Sequence, residues 1–253
     1  MKGIFVGAAW SGLVALTASY PVHAEDACCK LSGIVAVTSD YRFRGISESA
    51  LQPALQAEVE AEVGDDFYLG AWGSRVDFKD NQNTSVELEL YGGKEFDLEA
   101  AELNVEAYYY AFPNHHLPAG GERYSFFEGI ATLSHEWDWL TVKGTFAWSP
   151  NFSGGTGNAW YAAGGISVPL TDWLSLNGTF GVQAVALWDH RSASGFPYTH
   201  WDAGVTAKWK RFSLDLGLVG TSLSPKQCLI ASGGKTWCNN GVVVTATYAF
   251  GKQ

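Results

Sequence analysis

The chain has 253 residues and a formal net charge of −10 at pH 7. An acidic chain lacks the basic surface that nucleic acid requires, so we expect no nucleic-acid partner. Its 29 glycines, 14% aromatic residues and single methionine favour an all-β protein with many turns over a helical one.

The N-terminus has the pattern of a secretory signal peptide. A single positive charge precedes an apolar run from Ile4 to about Ala18, and small residues lead to a cleavage site after Ala24. The run is shorter than the ~20 residues of a membrane-spanning helix, and no later segment reaches that length. We therefore expect removal of residues 1–24 and export of a single domain, residues 25–253, which either stays soluble or enters a membrane through strands.

Apolar and polar residues alternate along most of the exported chain. In the stretch 54–64, Leu55 and Val59 interleave with Glu58 and Glu60, although its composition favours a helix. A period of two separates two faces of a strand, whereas it scatters apolar side chains around a helix. Similar segments predict about twelve strands, at 33–44, 54–64, 66–78, 84–95, 100–112, 123–135, 139–149, 158–168, 173–188, 199–210, 211–222 and 241–250.

The connections between these strands alternate between short and long. Turns such as GDD at 64–66 and KR at 210–211 contrast with loops as long as SPKQCLIASGGKTWCNN at 224–240. Outer-membrane barrels have short periplasmic turns and long extracellular loops, whereas a soluble sandwich has no reason to segregate them. The connections therefore predict a transmembrane antiparallel up-and-down β-barrel.

Aromatic residues gather at both ends of the predicted strands. Beside the short turns are Phe67, Phe96, Trp137, Trp139, Trp173 and Phe212. At the opposite ends are Phe78, Phe112, Tyr124, Trp148, Trp160, Trp188 and Trp201. Two rows of amphipathic rings around an apolar band are typical of the girdles at membrane interfaces.

Five segments carry a family resemblance: VTSDYRFRGIS at 37–47, PALQ at 53–56, YLGAW at 68–72, VELELYGG at 86–93 and YYYAFP at 108–113. Together they resemble the TorF family of porin-like proteins in Gram-negative bacteria, most strongly over the first half of the chain. The resemblance implies a barrel in the bacterial outer membrane, a channel role and no established substrate. The last strand, VVVTATYAF, is similar to closing strands that the barrel assembly machinery recognises. That machinery and outer-membrane lipid are therefore the expected partners.

The polar face of the predicted barrel would line its lumen. On this alternation we predict as pore-lining Asp40, Arg42, Arg44, Glu58, Glu60, Glu62, Arg75, Glu87, Glu89, Glu106, Glu128, Lys143 and Lys208, with Asp77, Glu102 and Lys210 as further members. Opposed acidic and basic walls select solutes by charge. The excess of acid predicts a porin-like channel for small hydrophilic solutes, with a mild preference for cations or zwitterions. Alternatively, the arginines pair with the glutamates and close the lumen, which would leave a structural barrel.

Two of the four cysteines are placed to form a disulfide. Cys228 and Cys238 lie in the longest predicted outer loop, whereas Cys28 and Cys29 precede the first strand on the opposite side. The two sides are separated by ~30 Å of bilayer, which is beyond disulfide reach. We therefore predict a Cys228–Cys238 disulfide, as expected in an oxidising compartment. The role of Cys28 and Cys29, in metal binding or with a partner thiol, stays open.

A barrel enzyme acting on lipids is the alternative function. Such a site needs a histidine within hydrogen-bond reach of a serine or a second acid. The histidines of the exported chain match no nucleophile motif, and G-x-S-x-G is absent; these histidines are His115, His116, His135, His190 and His200. The adjacent pair at 115–116 is a weak metal ligand set. We predict no enzymatic activity and no cofactor.

Overall fold

The described part of the chain is almost entirely β-structure. The computed structural model describes residues 29–64, 66–80, 82–116, 123–187 and 195–251, so the predicted signal peptide, Cys28, Trp188 and His190 lie outside the described residues. The strands are β1 Cys29–Thr38, β2 Arg42–Phe43, β3 Ile46–Ser47, β4 Ala54–Val63, β5 Phe67–Arg75, β6 Val86–Asp97, β7 Glu102–Ala111, β8 Phe126–Trp137, β9 Leu140–Ser149, β10 Ala159–Thr171, β11 Leu174–Val185, β12 Tyr198–Trp209, β13 Phe212–Thr221 and β14 Gly241–Gly251. One helix, α1, spans Pro225–Ser232, and a short 3₁₀ turn spans Ser153–Gly155.

Twelve of these strands form a closed antiparallel barrel, as predicted. Each strand from β4 to β14 pairs with its neighbour in sequence, and β1 closes the barrel by pairing with both β4 and β14. Closure leaves the barrel without a free edge, so the backbone groups of its strands are paired within the protein. No helix in the described ranges is long and apolar enough to cross a membrane.

The two faces of the barrel wall differ in chemistry. On β4, Gln56 and Glu58 are buried inside, while Leu55 and Val59 are exposed outside. The exposed apolar set continues around the barrel with Leu31, Leu69, Leu90, Val105, Phe146, Ile166, Leu176, Leu214 and Val242. A water-soluble monomer rarely exposes an apolar surface of this extent. The wall is therefore apolar outside and polar inside.

The aromatic rows match the predicted girdle at the short-turn end and only part of the girdle at the long-loop end. The rings beside the short turns are exposed on the outer face, including Trp139 and Trp173. At the long-loop end, Trp148 and Trp160 are also exposed. In contrast, the cluster of Phe78, Phe112 and Tyr124 packs together on the inner side of the barrel mouth. This inward cluster corrects the assignment of all the predicted aromatics to two interfacial rows.

The first strand begins and ends earlier than the predicted range 33–44, so Cys29 belongs to β1 instead of preceding it. β1 ends at Thr38, and residues 39–53, hereafter the inward segment, leave the wall and turn into the lumen as the short β2–β3 hairpin. The hairpin turn uses left-handed backbone at Arg44 and Gly45, with φ of 48° and 86°. Asp40, Arg42 and Arg44 therefore lie inside the barrel on this segment, and their placement on a wall strand was wrong.

The predicted sidedness of β5 was also wrong. Tyr68 and Trp72 are buried, whereas Arg75 is exposed and its guanidinium donates to the backbone oxygen of Pro53 at 3.0 Å. Trp72 faces inward because its ring packs on Tyr41 of the inward segment, with centroids 5.3 Å apart. Both faces of this strand contain apolar residues, so alternation alone does not decide between them. Arg75 therefore does not line the pore.

Asp77 and Lys210 also differ from their predicted positions. Asp77 lies beyond the end of β5, where its carboxylate pairs with Lys79 at 2.6 Å. Lys210 is exposed in the turn between β12 and β13 with a φ of 55°. Neither residue belongs to a barrel strand, because each lies where the chain leaves the wall.

Interior glycines make room for aromatic rings. A Cβ atom on Gly70 would overlap the ring of Tyr91, whereas none of the surrounding atoms would come within 4 Å of a Cβ atom on Gly144. We expect Gly70→Val to lower the free energy of unfolding by about 1–3 kcal/mol, because it displaces a packed ring. The temperature at which the folded band is lost in a heat-dependent gel shift measures this effect. Gly144→Val is the matched control, and equal shifts would contradict the packing.

Candidate pore

The carboxylates of the lumen concentrate on one side. At inward-facing positions of β4, β6, β7 and β8 lie Glu58, Glu60, Glu62, Glu87, Glu89, Glu106 and Glu128, hereafter the acidic wall. All are buried except Glu62, which is half-buried and pairs with Lys30 at 2.9 Å. Both carboxylate oxygens of Glu89 lack a hydrogen-bond partner among the described residues. On this side of the lumen, therefore, only some of the carboxylates have a hydrogen-bond or ion-pair partner among the described residues.

Tyrosine hydroxyls supply part of the compensation. The hydroxyl of Tyr91 donates to Glu58 and to Glu60, the latter at 3.1 Å, and that of Tyr68 donates to Glu106 at 2.7 Å. The prediction from sequence did not include these tyrosines. VELELYGG places Tyr91 in the same alternating set as the glutamates, and this signal could have identified it.

Arg44 fixes the inward segment to the far wall. Its guanidinium contacts the Glu128 carboxylate at 2.5 and 3.1 Å and the side-chain oxygen of Gln183 at 2.5 Å. It also lies 4.1 Å from the centre of the Tyr161 ring. The hydroxyl of Tyr198 donates to the backbone oxygen of Arg44 at 3.2 Å. These residues come from β8, β10, β11 and β12, so Arg44 connects the segment to strands across the lumen.

Asp40 and Arg42 organise the hairpin itself. Arg42 pairs with Asp40 at 2.7 Å and donates to the backbone oxygen of Asn239 at 2.8 Å. Asp40 also accepts hydrogen bonds from the hydroxyls of Ser47 and Ser49. Both charges are therefore engaged in holding the segment in its conformation.

The last long loop covers the inward segment from outside. A disulfide joins Cys228 and Cys238, as predicted, with Cα atoms 5.8 Å apart. Both cysteines are buried in a cluster with Ile46 and Trp237. The backbone N–H of Ser47 donates to the Trp237 oxygen at 2.9 Å. The loop and the segment therefore form one packed unit.

The cap of α1 positions Cys228 within that loop. The Ser224 side chain accepts a hydrogen bond from the Gln227 N–H, and the Gln227 side chain accepts one from the Ser224 N–H. Pro225 occupies the first helical turn, and Gly233 ends the helix in a left-handed conformation. The capping box defines the N-terminal end of the short helix, and the left-handed glycine defines its C-terminal end.

The basic residues of the described ranges do not form a second wall. Lys143 and Lys208 are half-buried at inward-facing positions of β9 and β12. β9 adjoins β8 of the acidic wall, and Lys208 lies near Asp215 of β13. Since Arg42 and Arg44 belong to the inward segment, the lumen has an acidic side and central cationic groups. This differs from the predicted opposed walls.

The inward segment lies between two cavities. The outer cavity, of about 350 Å³, is lined by Phe43 and Glu48 of the segment together with the barrel mouth. The inner cavity, of about 70 Å³, is lined by Asp40, Arg42 and Gly45 together with β11 to β14. A solute that crosses the barrel therefore has to pass the segment.

Two acids outside the barrel strands have pKa values shifted in opposite directions. Burial, followed by the nearby carboxylates of Glu87 and Asp40, raises the pKa of Glu48 well above its usual value. Partial burial opposes ionisation of Asp80, but hydrogen bonds from Thr84 and a backbone N–H outweigh it and lower its pKa. Glu48 is therefore the harder of the two to ionise, and a cation beside it would favour its charged form.

Three histidines bridge separate elements. His115 contacts the Thr84 hydroxyl at 2.8 Å, and His200 contacts the Tyr161 hydroxyl at 2.8 Å. His135 bonds to a backbone carbonyl. Within the described ranges, no three His, Cys, Asp or Glu side chains are grouped so that they could hold a metal ion.

The model of a family described as a bacterial protein of unknown function, Gcw_chp, matches residues 23–250. No match was found among curated protein sequences. None of these matches carries the TorF name, which stays a resemblance.

Solved porin structures share the fold. A KdgM porin is similar over 87% of this chain and 99% of its own, with a TM-score of 0.54 and 9% identity. A KdgM porin in complex with disordered oligogalacturonate is similar over the same shares, with a TM-score of 0.54 and 8% identity. A NanC porin is similar over 88% and 100%, with a TM-score of 0.52 and 9% identity. At these identities the likeness concerns the fold alone.

Proposed function

Because the chain belongs to the Gcw_chp family of bacterial proteins of unknown function and folds as a closed barrel, we propose that it is a porin-like channel of the bacterial outer membrane. The apolar outer face, the polar lumen and the porin-like fold support this assignment. Twelve strands lie between the filled barrels of about eight strands and the open ones of about sixteen. A heat-dependent gel shift of the protein in the membrane fraction tests the location.

The proposed solutes are small hydrophilic cations and zwitterions. The observation that carries this proposal is the acidic wall, which no basic wall opposes within the described residues. Carboxylates along a narrow lumen raise the local concentration of cations and repel anions. The KdgM complex contains oligogalacturonate, an acidic sugar. The charge of the present lumen disfavours such a solute, so the ligand of that porin is not carried over.

Reversal potentials in a planar bilayer with a KCl gradient test the charge preference. We expect a sign that corresponds to cation selectivity. Glu87→Gln combined with Glu89→Gln should lower the cation-to-anion permeability ratio several-fold, because it removes two carboxylates from the lumen. Glu99→Gln, in an exposed turn, is the matched control and should leave the ratio unchanged. Anion preference of the wild type would refute the proposed solute class.

A closed structural barrel is the second candidate. It is favoured by the contact of Arg44 with Glu128, which holds the inward segment across the lumen. A heat-modifiable, membrane-inserted protein that passes no current under any voltage would support this candidate over the channel.

A further inference from the structure

We propose that the outer cavity is a binding site for an organic cation that carries an apolar or aromatic body. This inference rests on the proposed channel function, because it assumes that the cation enters the barrel from the long-loop end. The outer cavity measures about 350 Å³, which lies within the range of small-molecule pockets.

Aromatic rings make up one side of the outer cavity. Phe78 lies 5.5 Å from Phe112 and 5.3 Å from Tyr124, centre to centre. Phe126 and Phe152, 4.6 Å apart, continue the lining. Several tilted rings around one space offer both apolar area and ring faces, and a cation within about 6 Å of a ring face is attracted to it.

Two carboxylates complete the outer cavity. Glu87 lines it, is only 4% exposed, and its Oε2 atom has no hydrogen-bond partner among the described residues. Glu48 lines the same space from the inward segment. A buried carboxylate oxygen that lacks a hydrogen-bond donor is costly unless a cation reaches it. A bound cation would supply that partner.

The other charged residues of the lining already have partners. Lys79 pairs with Asp77 at 2.6 Å, and Asp80 accepts a hydrogen bond from Thr84 at 2.6 Å. The Glu48 and Glu87 side of the outer cavity therefore carries two acids that take part in no ion pair among the described residues, and a bound cation would favour their charged forms. An aromatic wall facing such a side suits an amine or quaternary ammonium group attached to a ring or alkyl chain, because each half of the ligand meets a matching surface.

Binding of benzyltrimethylammonium to the purified full-length protein in detergent tests the site directly. Titration calorimetry should show saturable binding of this cation and none of benzenesulfonate, which has a similar ring and the opposite charge. Glu87→Gln should weaken binding about tenfold, and so should Phe112→Leu, which removes the ring. Glu99→Gln is the control and should bind as the wild type does. A heat-dependent gel shift verifies that each variant is folded.

The outcomes separate the site from the channel. Equal binding of benzenesulfonate, binding of maltose in place of the cation, or unchanged affinity in both Glu87→Gln and Phe112→Leu would overturn the site. Potassium current in a bilayer without any binding of benzyltrimethylammonium would overturn the site and leave the channel standing. Binding without current would support the site and refute the channel.

Discussion

Replacing Arg44 with methionine is expected to raise the single-channel conductance several-fold. Methionine retains an apolar stem but loses the planar guanidinium that joins Glu128 and Gln183. Breaking a buried pair while leaving one charge in place costs about 3–5 kcal/mol. The inward segment would then be released from the far wall, and the lumen would widen. Bilayer recordings of the two proteins under identical salt and voltage measure the change.

Two further variants make this result specific. Glu128→Gln removes the partner of Arg44 and should also raise the conductance, with less than additive effect in the double variant, since both changes break one contact. Lys210→Met removes a cationic side chain that is exposed in the turn between β12 and β13, so it should leave the conductance unchanged. A conductance that responds to Lys210→Met and not to Arg44→Met would show that Arg44 does not hold the inward segment across the lumen.

Removing the disulfide is expected to loosen the loop of residues 224–240 that packs on the inward segment. The loop that Cys228 and Cys238 close has a sequence separation of 10 residues, and such a cross-link contributes about 2–3 kcal/mol. Its loss would loosen the packing on Ile46 and the hydrogen bond to Ser47. We expect larger conductance fluctuations and a higher mean current after reduction, both reversed on reoxidation. Current traces before and after addition of a reductant provide the measurement.

The double-serine variant identifies the cysteines responsible. Cys228→Ser with Cys238→Ser should behave as the reduced wild type does and should no longer respond to reductant. A response that persists in this variant would assign the effect to Cys28 or Cys29. If the reductant does not change the current of the wild type, other contacts, such as that of Arg42 with Asn239, are sufficient to hold the loop in place.

The faces of several strands could be predicted from the sequence because their environments differ sharply. In residues 54–63, glutamates and aliphatic residues alternate, and a shift of one position would turn carboxylates toward the apolar side. The structure places Glu58 and Glu60 inside, in line with that pattern. Strand β5 lacks such contrast. Trp72 of this strand faces inward because its ring packs against Tyr41 of the inward segment.

Sequence alone was sufficient to predict a closed barrel of about twelve strands, the order of its short and long connections, and the Cys228–Cys238 pair. These features follow from local alternation and from loop lengths, which can be recognised in short stretches of the sequence. The entry of residues 39–53 into the lumen could not be predicted from the sequence, because alternation continues past Thr38 without a signal that the strand ends. The deciding contact joins Arg44 and Glu128, which are 84 positions apart. The energy of such a contact depends on strands that meet only after the barrel closes.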